Sequence, residues 1–229
     1  MTQEPFQQEA AFGLDLAGYS SDHSSLAEVR RSDVYTAFLY RGHPFAVRAD
    51  GRERLSSRVD AERAALVRLL EVGDVLVDVP IDLQSLPSPR EPFFIWQLTA
   101  RPVDMAYGGL RPLADRIGAP VARFQQIAQD ARLRAAIGTG RLMETYPAAS
   151  FACTGIKANR YKGQTIVWDD HRWIGDELAE IARSLRLVAS STINLSDDDV
   201  DAIVCALAGV SPPEAILEGY ELAEDMRRR

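Results

Sequence analysis

Five acidic residues occupy positions where the surrounding sequence is typical of core strands or of a buried helix. Asp15 interrupts the apolar stretch "AAFGLDLAG", Asp78 follows valines in "DVLVDVP", and Glu144 lies within "RLMETYP". In "SDDDVDAIVCALAG", Asp198 and Asp201 are three residues apart, so a helix would bring them to one side. Burying a carboxylate is costly unless it is paired, hydrogen-bonded or bound to metal. Each of these acids therefore needs a partner.

Divalent cations are the partners that a cluster of such acids would favour. Two like charges about 4 Å apart repel by roughly 4 kcal/mol at an effective dielectric constant near 20. Two divalent ions balance four carboxylates, and two ions clamp the attacking and leaving oxygens in phosphoryl transfer. Oxygen ligands suit Mg²⁺ or Mn²⁺ better than zinc, and the scattered His23, His43 and His171 form no zinc motif. The pattern predicts a two-ion site for Mg²⁺ or Mn²⁺.

Each acid also has an ordinary structural interpretation. Asp78 could accept backbone hydrogen bonds at the end of a strand, and Glu144 could pair with a basic residue such as Arg141. Ser196 is a favourable helix N-cap, and acids in the first turn stabilise a helix through its dipole. Asp201 fits this interpretation least, because it lies beyond the first turn and leads into the apolar "AIVCALA".

The hydrophobic periodicity predicts alternating strands and helices that would position these acids. We expect strands over residues 10–17, 25–29, 34–39, 74–80 and 141–147, and helices over residues 57–71, 119–134, 176–186 and 197–208. In the first strand, Phe12 and Leu14 would face a core, while Gly13 and Asp15 would lie on a face of small residues. This order predicts an α/β fold whose mixed central sheet has antiparallel hairpin strands plus parallel strands and is flanked by helices.

The length, composition and cysteine content are those expected of a globular protein of a reducing cytoplasm. A chain of 229 residues, 46% of them hydrophobic, can form a single domain over residues 1–229, with a loop-rich insertion at about 80–118. The two cysteines form no disulfide framework, and no signal peptide or transmembrane run is recognisable, so we expect a cytoplasmic protein without membrane contact. A net charge of −7 argues against nonspecific coating of DNA but not against a nuclease.

The motifs "GLDLAG", "VLVDVPI", "METYPAA", "YKG" and "DDDVDAIVCALAG", in this order, resemble the DUF429 family of predicted nucleases with an RNase H-like fold. The resemblance extends from residue 12 to about residue 209. It implies a central sheet with the hairpin strands on one side of the first strand and the parallel strands on the other. It also implies one shared site, formed by Asp15, Asp78, Glu144 and Asp201. Asp198, on the same helix as Asp201, would accompany them.

A basic segment and a glycine-containing segment bear on the substrate. In "GIKANRYKG", Lys157, Arg160 and Lys162 could contact a phosphate, or could simply be solvated. The arginines between positions 48 and 68 are expected on a solvated helix face. In "DLAGYSSDHSS", Gly18 and the hydroxyl groups that follow could cradle a nucleotide phosphate.

Three functions remain open from the sequence. The first is a metal-dependent nuclease or phosphodiesterase acting on nucleic acid or a small phosphodiester, with Asp15 and Asp78 flanking the ions, Glu144 completing the inner shell and Asp201 holding the second ion. The second is an actin-like nucleotide-binding phosphotransferase. The third is a non-catalytic RNase H-like binding module.

Overall fold

The computed structural model describes residues 9–17, 24–31, 35–40, 44–46, 55–81, 118–147, 150, 166–169, 172–173, 185–187 and 193–210. Most of the predicted insertion at 80–118 lies outside these residues, as does the basic segment that contains Lys157, Arg160 and Lys162. Within the described part, no helix has both the length and the apolar composition required to cross a membrane.

The described elements alternate broadly as the periodicity predicts. The strands are β1 (Ala10–Asp15), β2 (Ser25–Arg31), β3 (Tyr35–Tyr40), β4 (Asp74–Val77), β5 (Leu142–Glu144), β6 (Ile166–Asp169), β7 (Arg172–Trp173), β8 (Leu185–Leu187) and β9 (Ile193–Leu195). The helices are α1 (Leu55–Val72), α2 (Gly118–Ile127), α3 (Ala131–Gly138) and α4 (Asp197–Val210), with a short 3-10 helix at Pro44–Ala46.

The main sheet has the strand order β5-β4-β1-β2-β3-β8. Strands β1, β2 and β3 pair antiparallel, whereas β4 pairs parallel with β1, and β5 pairs parallel with β4. The predicted mixed sheet is therefore confirmed, with the hairpin strands on one side of β1 and the parallel strands on the other. This is an RNase H-like arrangement. A smaller sheet of order β7-β6-β9 was not expected from the sequence.

The two faces of β1 differ as the sequence predicts. Phe12 and Leu14 belong to the core that β1 shares with α1, α2 and α3, whereas Ala11 belongs to the core formed with α4. A Cβ at Gly13 would lie 1.9 Å from the Ala202 carbonyl oxygen, so α4 crosses this strand at backbone contact distance. The face of small residues exists because a helix packs directly on it.

Two predicted helices differ in the structure. The helix expected over 119–134 is two helices, because the Asp130 side chain accepts a hydrogen bond from the Arg132 amide at 2.8 Å and caps the start of α3. The helix expected over 176–186 is wrong at its end, where Leu185 and Arg186 belong to β8. The sequence of β8 alternates apolar, charged and apolar residues, and the strand pairs parallel with β3, with Leu185 opposite Tyr35.

The expectation of a solvated arginine face on α1 is wrong for Arg58. This side chain is buried, and its Nε donates to Glu62, one turn further along the helix, at 3.0 Å. Because Glu62 is also fully buried, α1 carries charge into the core beside its apolar residues. The structural reason is a second arginine on α2, Arg123, which binds the same carboxylate.

Candidate carboxylate site

Asp15 is the last residue of β1, and Asp78 comes directly after β4, the parallel strand next to β1. Leu14 of β1 is in register with Val77 of β4, and the Asp78 amide donates to the Leu14 carbonyl at 2.9 Å. Both aspartates are partly buried. Adjacent strands lie about 4.8 Å apart, so the two carboxylates project from neighbouring strand ends. Ligands of open α/β sheets bind beyond the carboxyl ends of the strands, which makes this end the candidate site.

Both aspartates belong to the face of the sheet that α4 covers. Leu76 of β4 packs in the core under α4, whereas Val77 and, two residues beyond the end of β4, Val79 pack in the opposite core. Since side chains alternate along a strand, Asp78 shares the side of Leu76. By the same alternation, Asp15 shares the side of Gly13, against which α4 packs. The two acids therefore face the start of this helix.

Glu144 reaches the same end of the sheet but belongs to the opposite face. It is in register with Val77, and Leu142, two residues earlier, packs in the core beneath α1, α2 and α3. Its exposed carboxylate accepts a hydrogen bond from the Ile81 amide at 3.1 Å. Arg141, considered above as a partner, donates instead to Asp74 at 3.2 Å. The alternation of β5 thus turns Glu144 away from the side of Asp15.

The first turn of α4 is anchored by a reciprocal pair of hydrogen bonds. The Asp199 amide donates to the Ser196 hydroxyl at 3.1 Å, and the Ser196 amide donates to Asp199 Oδ2 at 3.0 Å. This confirms Ser196 as the N-cap and completes a capping box. Asp199 Oδ1 also accepts from the Ser25 hydroxyl at 2.7 Å. Sequence reasoning gave Asp199 no role beyond the helix dipole, although the Ser-x-x-Asp spacing signalled this cap.

Asp198 and Asp201 lie on the described part of α4 with different exposure. Asp201 is fully buried, whereas Asp198 is partly exposed. Helix α4 approaches β1 closely near Asp201: a Cβ at Gly13 would lie 2.8 Å from the Cβ of Cys205. Because Gly209 packs near Ala11 at the start of β1, α4 runs antiparallel to β1, and its acidic first turn lies towards the carboxyl end of that strand.

The described side chains do not form a complete metal centre. Within the described residues, no group of three or more His, Cys, Asp or Glu side chains could hold a metal ion. Glu144 lies on the opposite face of the sheet, and the two carboxylate oxygens of Asp199 accept hydrogen bonds from Ser25 and Ser196. The donors are oxygens of the kind that Mg²⁺ and Mn²⁺ prefer, but their placement does not fit the predicted pair of ions as it stands.

The described part of β2 and β3 carries a further charged cluster on the face opposite α4. Glu28 is buried and accepts from Arg30 Nε at 2.5 Å and from the Tyr40 hydroxyl. Arg30 also lies over the ring of Phe38, 4.7 Å from its centroid. Burial of the Tyr40 phenol and its hydrogen bond to Glu28 raise the pKa of Tyr40 to about 12. This cluster stabilises the hairpin rather than the carboxyl end of β1.

Two predicted elements of the site lie outside the described residues. These are Lys157, Arg160 and Lys162, predicted to contact a phosphate, and residues 18–23 of the segment that could cradle a nucleotide phosphate. The phosphate contacts proposed for these two segments therefore stay predictions.

The sheet order and the helix that covers β1 define an α/β protein of RNase H-like topology. A solved structure of RuvC from Thermus thermophilus is similar, with 18% sequence identity and a TM-score of 0.44; the alignment covers 86% of this chain and 91% of that chain. No family model matches the chain, and no curated protein matches it. The resemblance to the DUF429 family therefore stays a prediction.

Proposed function

We propose that the protein hydrolyses phosphodiester bonds, in nucleic acid or in a small phosphodiester, with the help of Mg²⁺ or Mn²⁺. The observation that supports this function is the hydrogen bond from the Asp78 amide to the Leu14 carbonyl. It aligns Asp15 and Asp78 at the carboxyl ends of adjacent parallel strands, on the face towards the acidic start of α4. We call Asp15, Asp78, Asp198 and Asp201 together the carboxylate edge.

The charge of the carboxylate edge explains why a cation belongs to the proposal. A phosphodiester is an anion, so aspartates alone would repel it. A bound Mg²⁺ or Mn²⁺ would neutralise that repulsion and supply a water activated for attack on phosphorus. In this proposal Asp15 and Asp78 bind the cation from the sheet, and Asp201 with Asp198 binds from the helix.

Outside the carboxylate edge, Lys157, Arg160 and Lys162 are proposed to contact the phosphate. Glu144 would join the ligands by turning round the end of β5, which requires release of its hydrogen bond to the Ile81 amide. A carboxylate that moves in this way would be a ligand only in the cation-bound protein.

The placement of the side chains sets a requirement for this function. Because no three metal-binding side chains of the described residues share one point, cation binding must draw at least one more carboxylate towards Asp15 and Asp78. The same observation favours a second candidate, a non-catalytic RNase H-like binding module that keeps the fold without cleaving a substrate.

The experiment combines cation binding with cleavage. Calorimetric titration with Mn²⁺ and thermal melting with and without Mn²⁺ measure binding, since a ligand of the folded state raises its stability. Labelled DNA, labelled RNA and a chromogenic small phosphodiester measure cleavage. We expect wild-type protein to bind Mn²⁺ and cleave at least one substrate, and Asp15→Asn and Asp78→Asn to abolish cleavage.

The matched control is Asp60→Asn, because Asp60 is an exposed acid on α1 that pairs with Arg63. This variant should keep both activities. Mn²⁺ binding without cleavage of any substrate would favour the binding module, and absence of both would overturn the proposed function. ATP is tested as a further substrate. Turnover of ATP, without release of nucleotides from labelled DNA or RNA, would instead identify a phosphotransferase.

A further inference from the structure

A single buried arginine joins four segments of the chain. Arg123 of α2 is fully buried, and its Nε and Nη2 donate to the carboxylate of Glu62 on α1. Nη2 also donates to the Phe45 carbonyl at 3.0 Å. Nη1 donates to the Ala17 carbonyl at 2.6 Å and to the Ser24 hydroxyl oxygen at 3.3 Å. The guanidinium group thus uses its planar fork of donors in several directions at once.

Two of these contacts lie directly behind the carboxyl end of β1. Ala17 is two residues after Asp15, and Ser24 immediately precedes Ser25, the residue paired with Asp15 in β2. The Ala17 amide also donates to the Ser24 hydroxyl oxygen at 3.0 Å. Arg123 therefore holds the chain where it leaves β1 and where it enters β2.

The energetics of the buried Arg123–Glu62 pair indicate that Arg123 positions the segments it binds, in addition to any effect on stability. Burying an ion pair costs desolvation, and apolar residues of similar volume often stabilise a core equally well. A lysine would supply the charge for Glu62 but not the planar set of donors that reaches Ala17, Ser24 and Phe45 together. Because Arg123 is fully buried, direct contact with a substrate is excluded in this arrangement.

We propose that Arg123 is a positioning residue of the carboxylate edge. By tying Ala17 and Ser24 to Glu62 of α1, it sets where β1 ends and therefore where Asp15 lies. The effect on catalysis rests on the proposed function, whereas the effect on the end of β1 does not. These two parts can be measured separately.

The first measurement is amide hydrogen exchange, which reports local opening in the folded protein. The variants are Arg123→Met and Arg123→Lys, with Glu62→Gln in case neither folds. The control is Leu133→Ala, since Leu133 is an equally buried residue of α3 outside this hydrogen-bond network. We expect the Ala17 amide to exchange at least about tenfold faster in the Arg123 variants than in the control, after correction for global stability.

The second measurement is cleavage by the same variants at a temperature where all are folded. We expect kcat to fall by about tenfold or more with KM nearly unchanged, because a small displacement of a reacting group lowers the rate of the chemical step. Leu133→Ala should keep the wild-type kcat. Arg123→Lys should rescue neither readout, since charge alone does not restore the lost hydrogen bonds.

The outcomes separate the two proposals. Ala17 exchange equal to that of the control, or full rescue by Arg123→Lys, would overturn the positioning role. Faster Ala17 exchange in a protein whose wild type neither binds Mn²⁺ nor cleaves would support Arg123 as the residue that positions the end of β1, while the proposed function fails.

Discussion

The Ser25 hydroxyl donates to the buried carboxylate of Asp199 at 2.7 Å, and Ser25 is paired in register with Asp15. One hydrogen bond thus joins the first turn of α4 to the strand position opposite Asp15. The same carboxylate closes the capping box with Ser196. This hydrogen bond therefore attaches the start of α4 to the sheet beside Asp15, although neither Ser25 nor Asp199 belongs to the proposed carboxylate edge.

This contact predicts coupled losses of stability. Ser25→Ala leaves a buried oxygen of Asp199 with one hydrogen bond fewer and should lower the free energy of unfolding by about 1–3 kcal/mol. Asp199→Ala should lower it at least as much, because the cap is lost as well. Chemical denaturation of both variants and of the double variant should give a coupling energy above about 0.5 kcal/mol. Strictly additive losses would contradict the contact.

A helix-dipole control accompanies this cycle. Asp197 also lies in the first turn of α4, and Asp197→Asn should change the free energy of unfolding by no more than about 1 kcal/mol.

Substitutions of the acids of α4 should affect either cleavage or stability, according to the role of each acid. We predict that Asp201→Asn removes metal-dependent cleavage with little loss of stability, whereas folded Asp199→Asn keeps cleavage near normal while melting earlier. Asp198→Asn should give an intermediate loss of activity. A cleavage assay below the melting temperature and one melting curve for each variant provide the comparison. A loss of about 3 kcal/mol or more in Asp201→Asn would instead identify Asp201 as a buried structural partner.

The close contact between β1 and α4 predicts a strong effect of one methyl group. In Gly13→Ala the new Cβ would lie 1.9 Å from the Ala202 carbonyl oxygen, so the helix must shift. Overpacking of this kind costs about 1–3 kcal/mol, occasionally more. We also expect weaker Mn²⁺ binding, because the shift carries the acids of α4 away from Asp15. Denaturation and calorimetry measure the two effects.

The matched control for this substitution is Gly138→Ala, at the end of α3. A Cβ there meets no atom within 4 Å, and Gly138 has no positive φ. Alanine in a helix should raise stability by about 0.5–1 kcal/mol. A Gly13→Ala variant as stable as this control would show that α4 does not pack on β1 as described.

The hairpin cluster predicts a stability change at alkaline pH. The pKa of Tyr40 is raised from 10.0 to about 12, first by burial and then by its hydrogen bond to Glu28. The pKa of Tyr40 is therefore higher in the folded than in the unfolded protein. The stability that the protonated Tyr40 phenol contributes is complete below pH 10 and is lost as the pH rises through 12. Ultraviolet titration of tyrosinate should show one late phase that Tyr40→Phe removes. Glu28→Gln should move that phase to lower pH, and an unchanged phase would contradict the hydrogen bond.

Several features follow from local sequence signals alone. The alternation around Asp15 predicts one face for Phe12 and Leu14 and another for Gly13, and both are observed. The cap at Ser196 predicts the start of α4 because side-chain and backbone partners are three residues apart. Such features depend on neighbours within a few residues, so their periods and spacings are legible in the sequence.

Other features depend on partners distant in the chain. The face of Glu144 depends on the register between β4 and β5, because a shift of one residue would turn the side chain to the other side. The burial of Arg123 depends on Glu62, which is 61 residues away. A charged residue with such a partner has the same local pattern as a solvated one. The sequence by itself therefore determined most of the strands and helices that surround the acids, and which acids to consider. The tertiary structure decided which acids share a face, because that depends on contacts that no local period encodes.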